Sequence, residues 1–399
     1  MPIPFKELSV EIGNPDFLES QDALPALPVC SQPVIDLLDA LSCRLRQCSE
    51  IRMFPDLASL AFWFRRSHIR QLAKQYEGEL RLGRGLAFHI APSNVPLNFA
   101  YTLAMGLLSG CANAVRLPSR DFPQSALLCR EWNTLLHRDF SSLLPYVLCF
   151  RCPHDHLLLP HLSAHCDIRV LWGGNETIQK IRQLPLKPRA LELPFADRYS
   201  LCVLHANAFL QYDAPQELAE RFCQDAYFGG QWACTSPRVV LWLGEPEECD
   251  AARDIFWKLT DTITKARYEL APIQAVKKRE QICLLASAYP ETRLCPGSNH
   301  AVRAEVPELS LGMMDFWTGE GMFLECCARQ LDALLPILTD RCQTVASFGI
   351  KDSEWKAFLL RTRPKGIDRI TPLGSTMQFS PHWDGVDLIQ SMSRNISIG

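Results

Sequence analysis

The chain has 399 residues, enough for roughly two or three domains and a large buried core, so a small fold stapled by disulfides is excluded. Hydrophobic residues make up 47% and charged residues 21%, a balance that excludes a disordered chain, and 41 Lys and Arg against 44 Asp and Glu remove the electrostatic basis for binding nucleic acid. The 17 cysteines form an odd set without a repeating spacing, which predicts free thiols in a reducing compartment, most of them acting as small buried hydrophobes.

The opening MPIPFKELSVEIG carries Lys6, Glu7 and Glu11 and lacks a continuous apolar core, so no secretory signal is expected and the expected location is cytoplasmic. Helical periodicity then covers Val34–Gln47 and Leu57–Tyr76, followed by a strand at Leu86–Ala91, a helix at Leu97–Leu108 and a strand at Ala114–Leu117. No residue from Ile90 to Val115 is charged, a run longer than the roughly 20 residues a bilayer requires. Pro92, Asn94, Pro96, Asn98, Ser109 and Asn113 interrupt it, so a buried α/β segment is expected and no membrane span. Further on, the pattern predicts helices at Ser125–Leu136, Pro215–Ala226 and Cys327–Leu338, and strands at Tyr146–Phe150, Ile168–Trp172, Leu201–His205 and Val239–Leu243. Such alternation is the mark of βαβ units in a mostly parallel sheet, with ligands beyond the carboxyl ends of the strands. The chain from Lys365 onward, rich in Gly, Pro and aromatic residues, predicts an ordered closing segment.

Three connections carry candidate chemistry. In LAFHIAPSNVPLNF, Asn94 sits between Pro92 and Pro96, where two fixed φ angles hold its amide either as a donor to a developing oxyanion or as a partner of its own turn. The segment lacks a GxGxxG dinucleotide fingerprint. In WGGNETI, Gly173 and Gly174 would let the backbone approach a phosphate at a helix N-terminus, although a Gly-Gly turn also occurs in folds that bind nothing. In GGQWACTSPR, Cys234 lies in a Gly-rich connection beside small hydroxyl residues, unlike the cysteines inside apolar elements, so it is either a substrate-accessible thiol or a structural one. His89 and His205 end or interrupt apolar runs and read as hydrogen-bonded core residues. Cys149 and Cys152 with His154 and His156 offer a single CxxC pair, a weak zinc signal, and no metal is expected.

The order HIAPSNVP, AVRLPSR, WGGNETI, LELPFADRYS, GGQWACTSPR and DRITPLGSTMQFSPHWDGVDLIQSMSRNISI resembles the fatty-acyl-CoA reductase of bacterial bioluminescence systems, a branch of the aldehyde dehydrogenase superfamily. The resemblance runs from Leu86 to the C-terminus. It implies an α/β, aldehyde-dehydrogenase-like fold with a Rossmann-type cofactor domain and an α/β catalytic domain. Residues 1–80 then form a helical segment of the cofactor domain, 81–196 the dinucleotide-binding domain, and 197–399 the catalytic thiol domain with the C-terminal segment.

The resemblance also implies roles. Cys234 matches the nucleophile that holds the acyl group, and Asn94 the oxyanion-stabilising amide. Arg116 and Ser119 match the Lys and Ser that contact the adenosine ribose; an Arg suits a 2′-phosphate, so NADPH is the expected cofactor. Gly173 and Gly174 match the turn beside the pyrophosphate. Glu192 falls where the superfamily keeps its general base, in a motif usually written ELGGK and here LELPFADR. Trp383-Asp384-Gly385 resembles a loop that closes over substrate, and a packed Trp with a turn explains the same residues equally well; Glu320-Gly321-Met322-Phe323 is a loose counterpart of the Glu-x-Phe segment, without an assigned role. The implied reaction is NADPH-dependent reduction of an acyl-CoA or acyl-carrier thioester to the aldehyde through an acyl-cysteine. An acyl-protein synthetase is the implied partner, and a homo-oligomer the implied state. Two readings from other classes stand beside it: an acyl-binding scaffold without hydride transfer, and a thioesterase or acyltransferase, which product identity would separate.

Overall fold

The uncharged run after Ile90 is spent inside a parallel sheet. In the computed structural model, which describes residues 8–14, 16–17 and 24–399, every residue of the strands Leu86–Ile90 and Ala112–Arg116 is buried, as is every residue of the intervening helix Asn98–Leu108 after Asn98. Lys6 and Glu7, on which the reading of the N-terminus rests, lie outside the described residues. Among the described residues no helix is long and apolar enough to cross a membrane.

Two compact units make up the chain, Met1–Asp197 with Phe379–Gly399, and Arg198–Gln378. The first contains β1 (Ser9–Gly13), β2 (Arg81–Gly83), β3 (Leu86–Ile90), β4 (Ala112–Arg116), β5 (Val147–Arg151), β6 (Ile168–Trp172) and β7 (Leu191–Phe195). Its main sheet runs β1-β5-β4-β3-β6-β7, parallel throughout except for the edge strand β1. From β3 the chain winds outward first through β4 and β5, then returns to the other side for β6 and β7. The order therefore reverses between β3 and β6, and the carboxyl ends of those two strands mark the switch point at which open α/β sheets bind ligands.

A polar chain crosses the middle of this sheet. Trp172 Nε1 donates to Thr102 Oγ1 (3.2 Å), which is 2.7 Å from His89 Nδ1; His89 Nε2 meets Asn113 Oδ1 (3.1 Å), and Asn113 Nδ2 donates to the Cys111 carbonyl (2.7 Å). The chain closes with every hydrogen used only if His89 is neutral, and burial pushes its pKa down from 6.5 to about 4. An unfolded His89 therefore takes up a proton before the folded one does. Stability from this group is complete above pH 6.5 and lost as pH falls toward 4, a difference of up to about 3 kcal/mol. Urea unfolding of wild type and His89→Gln as a function of pH is expected to show a shallower acid limb in the variant over that window.

The second unit contains β8 (Tyr199–His205), β9 (Pro237–Leu243), β10 (Arg293–Leu294), β11 (Val302–Glu305), β12 (Met322–Ala328), β13 (Cys342–Phe348) and β14 (Arg369–Pro372). They align as β10-β11-β12-β9-β8-β13-β14, parallel except for β10. Strict alternation divides each central strand between two cores. Leu201, Val203, Val239 and Leu241 face one, together with Trp355 and Phe358, whereas Cys202, Leu204, Val240 and Trp242 face the other with Phe209, Phe222 and Phe256.

Three expectations are corrected, and two helices are added. Leu57–Tyr76 is not one helix but Pro55–Trp63, Arg66–Ala73 and a short 3-10 turn, because Asp39 of a neighbouring helix accepts from the Arg66 N–H (2.9 Å) and, with Asp36, from its guanidinium. Cys327–Leu338 is not a helix: Cys327 and Ala328 are the last two residues of strand β12, and Leu331–Ile337 is a 3-10 turn containing Pro336. Two helices not expected from periodicity, Pro246–Arg267 and Pro272–Ala288, follow β9. Finally, the closing segment is divided: the part up to Gln378, with β14, stays with the thiol-bearing unit, and Phe379–Gly399 belongs with the first. The strands of Phe379–Gly399 are β15 (His382–Trp383), β16 (Val386–Asp387) and β17 (Ser393–Asn395); β17 pairs with β2, and Leu388, Ile389 and Met392 are buried in the first unit's core.

Candidate active site

Cys234 is held by its loop before anything else acts on it. After the helix Pro215–Tyr227 the backbone turns through Gly229, Gly230 and Gln231, with φ of 62°, 69° and 66°. Two of these left-handed positions are met by glycine, and a Cβ at Gly230 would stand 2.7 Å from Glu320 Oε1. Gln231 is wholly buried and spends its amide completely: Nε2 donates to the carbonyls of Pro237 (2.8 Å) and Met322 (3.1 Å), and Oε1 accepts from the N–H groups of Gly321 (2.9 Å) and Met322 (3.2 Å). This ties the loop to the start of β12.

The cysteine itself is fixed at two points. Ser200 Oγ, at the start of β8, donates to the Cys234 carbonyl (2.7 Å) and accepts from the Thr344 N–H of β13 (3.2 Å), while Gln343 Nε2 lies 3.4 Å from Cys234 Sγ. Cys234 is partly exposed. Most other thiols are not available in this way: burial pushes Cys111 and Cys326 up to about 11, and Cys129, Cys166, Cys223 and Cys342 up to about 12.

Neighbouring segments brace the loop. Thr235 Oγ1 contacts Met377 Sδ (3.0 Å), and the stretch before Met377 is pinned by buried Asp225, which accepts from the N–H groups of Gly374 and Thr376 and from Thr376 Oγ1. Burial raises the Asp225 carboxyl to about 6 despite those bonds. On the other side, Glu320 accepts from Trp232 Nε1 (3.2 Å), and its own N–H donates to the Gly230 carbonyl (3.0 Å). A cavity of about 210 Å³ opens there between Gly230, Tyr227, His300 and Glu320. Glu320, Gln231, Ser200 and Gln343 thus surround the thiol loop; of these the sequence drew attention only to Glu320.

The remaining candidates lie in the first unit. Asn94, exposed, occupies the turn after β3, and Arg116 ends β4 with Ser119 exposed just beyond. Gly173 and Gly174 follow β6. All therefore sit at or just past the carboxyl ends of β3, β4 and β6. The Arg116 guanidinium is 3% exposed; one nitrogen donates to the Cys152 carbonyl (3.0 Å), and Nε has no hydrogen-bond partner. At the Gly173-Gly174 turn, however, the helix Asn175–Arg182 is capped from within, since the Asn175 N–H donates to Asp197 Oδ2 (3.1 Å). A phosphate at that helix end would share it with a carboxylate.

Glu192 differs from the expected general base. It stands within β7 opposite Arg169 of β6; Oε2 accepts from Arg169 Nε (2.8 Å) and the adjoining guanidinium nitrogen, and Oε1 from Arg182 Nε (2.6 Å). Both oxygens are committed to guanidinium groups, so this carboxylate is a cross-strand ion pair and not an open proton acceptor. His89 and His205 are structural: the first lies in the polar chain described above, and His205 Nδ1 accepts from the Ala208 N–H at a helix start. Among the described residues no group of three His, Cys, Asp or Glu side chains is arranged to hold a metal ion.

A parallel sheet reversing between β3 and β6, followed by a second parallel sheet with a thiol just ahead of a central strand, defines an aldehyde-dehydrogenase-like α/β protein. Solved structures agree on the fold. An aldehyde dehydrogenase from Bartonella henselae has a TM-score of 0.61 at 14% identity, covering 92% of this chain and 86% of its own. A NAD-dependent benzaldehyde dehydrogenase from Corynebacterium glutamicum gives 0.61 at 12% identity, covering 97% and 94%. An NADP-dependent glyceraldehyde-3-phosphate dehydrogenase from Bacillus halodurans gives 0.60 at 13%, covering 98% and 95%. The family is narrower: the acyl-CoA reductase (LuxC) model matches residues 58–286, more than half of the sequence, and the chain belongs to that family. The long-chain acyl-protein thioester reductase of Aliivibrio fischeri is 24% identical over 166 residues, which are 41% of this chain and 33% of that protein. The matched stretch thus spans about a third of that relative's length.

Proposed function

We propose that the chain reduces an acyl thioester to the aldehyde through an acyl group carried on Cys234, using NADPH. The observation that carries this reading is the setting of Cys234: a partly exposed sulfur in a Gly-rich loop, held at carbonyl and sulfur by β8 and β13. Family membership and the thioester reductase relative support the reaction class.

Two features fit a nicotinamide dinucleotide in the first unit: the switch point where strand order reverses, and the buried Arg116 guanidinium whose Nε is left unpartnered, a costly arrangement that an anion would relieve. Arg116 and Ser119 would hold the adenosine end and the Gly173-Gly174 turn would lie beside the pyrophosphate. Bound there, reduced nicotinamide supplies hydride. The protein's own part is to hold and release the acyl group. Cys234 attacks the thioester carbonyl, a C–S bond forms, and the CoA or carrier thiolate leaves and is protonated. After reduction of the acyl-cysteine carbonyl, the hemithioacetal collapses, the C–S bond breaks, and the electron pair returns to Cys234 as aldehyde departs. Asn94 serves as the oxyanion donor in this reading. The ion pairing of Glu192 suits a reductase, because a free base aimed at water would hydrolyse the acyl-enzyme to an acid. The acyl thioester arrives on CoA or a carrier protein, with an acyl-protein synthetase upstream, and the chain works in the cytoplasm as a homo-oligomer.

Product analysis with a long-chain acyl-CoA tests the reading, aldehyde supporting it and free acid favouring a thioesterase. Arg116→Gln is expected to raise the KM for NADPH about 10- to 100-fold, the scale of charge-assisted hydrogen bonds to a phosphate, with little change for NADH. Equal effects on the two cofactors would remove the 2′-phosphate role.

A further inference from the structure

A polar side chain buried within a strand is costly unless something uses it, and Gln343, second residue of β13, is such a residue. It lies on β13 between Cys342 and Thr344, 2% exposed, with Nε2 3.4 Å from the Cys234 sulfur. The next residue on the same strand supplies the N–H that orients Ser200, which in turn grips the Cys234 carbonyl. Gln343 and Ser200 therefore hold two atoms of one residue from adjacent parallel strands, and β13 fixes both contacts.

We propose that Gln343 is a catalytic residue of the Cys234 reaction: its side-chain N–H stabilises the Cys234 thiolate, both as the attacking nucleophile and as the leaving group when the aldehyde departs. The proposal rests on reading Cys234 as the acyl-carrying nucleophile. A neutral thiol is a weak acceptor and a thiolate a strong one, so a donor held ready at the sulfur favours the charged form. That form is the one that attacks a thioester and the one that must leave as the hemithioacetal collapses. Gln343 neither gives nor takes a proton in either step. This sets it apart from a histidine or carboxylate at the same place, which could also deprotonate water and discharge the acyl group as an acid. An amide raises the nucleophile's reactivity without opening that path.

The test is the pH dependence of iodoacetamide alkylation at Cys234, followed by peptide mass spectrometry in the full chain so that other thiols do not contribute. Q343M keeps a similar volume and removes the donor. Its alkaline limb is expected to move up by about one pH unit, making alkylation near pH 7 about tenfold slower, with a parallel fall in aldehyde formation. Q343E, isosteric and acidic, is expected to move the limb further, since a second negative charge opposes the thiolate. A folded Q343M with the wild-type limb overturns the proposal. Should Q343M fail to fold, Q343E carries the same test, and an unraised limb there overturns it. Acylation of wild-type Cys234 by acyl-CoA, measured in parallel, separates the two readings. A limb that depends on Gln343 in a protein that never acquires an acyl group supports the thiolate contact and refutes the acyl reductase reading. Acylation with a limb indifferent to Gln343 refutes only the role of Gln343.

Discussion

Cys234→Ala is expected to lower aldehyde formation from acyl-CoA by at least about 10³-fold, because the proposed reaction then loses its covalent route and the acyl-enzyme on which reduction would act. The loss should be chemical and not structural. The residue is partly exposed, and its backbone carbonyl keeps the bond from Ser200 whatever the side chain. Thermal unfolding of the variant should therefore follow that of wild type, while the steady-state rate collapses. Cys234→Ser should fare nearly as badly, since an alcohol is a far weaker acid than a thiol and its neutral hydroxyl a far weaker nucleophile than a thiolate. Rates within about tenfold of wild type for the Ala variant would mean that the sulfur carries no acyl group.

Gln231→Ala is expected to cost about 3 kcal/mol or more in stability and to slow acylation as well. The substitution takes the Gln231 acceptor from the Gly321 N–H and the Gln231 donor from the carbonyls of Pro237 and Met322 in a fully buried place, while the Met322 N–H keeps the Gly319 carbonyl (3.2 Å). Each unsatisfied buried group costs roughly 1–3 kcal/mol, although relaxation recovers part of it. A φ of 66° adds strain for any residue with a Cβ, which Gln231 tolerates only because its amide is anchored. Gln231→Gly removes the strain and keeps the hydrogen-bond loss, so the difference between the two variants in urea midpoint measures the backbone contribution. A Gln231→Ala midpoint equal to wild type would show that the loop needs no such anchor. Because Gln231 stands three residues before Cys234, alkylation of the thiol in the same samples reports whether the loop has loosened around the sulfur.

The comparison of these two residues shows where sequence carries structural information and where it stops. Cys234 was legible because its surroundings are local: glycines, small hydroxyls and a proline within a few positions mark an irregular connection ahead of an apolar strand. The βαβ unit around Asn94 was legible for the same reason, as an uncharged run broken at the right places by Pro and Asn. Gln231, Ser200 and Gln343 were not, since each is explained by partners 6 to 144 positions away and nothing in their immediate neighbours distinguishes them from ordinary polar residues. Glu192 failed in the opposite sense. A motif resemblance offered it a role, but the register of β6 and β7 sets it opposite Arg169, and charge pairing claims both its oxygens. Secondary structure missed where tertiary contacts override periodicity. The break after Trp63 depends on Asp39 of another helix, and the helical spacing from Cys327 onward is overruled by burial of β12 between β11 and β9 and by Pro336.

Intact-protein mass spectrometry after mixing the chain with a long-chain acyl-CoA, first without and then with NADPH, examines the acyl-cysteine directly. The expected result is a single added acyl mass, localised to the Cys234 peptide, that disappears as aldehyde appears once NADPH is supplied. Full aldehyde production with Cys234 never modified would contradict it.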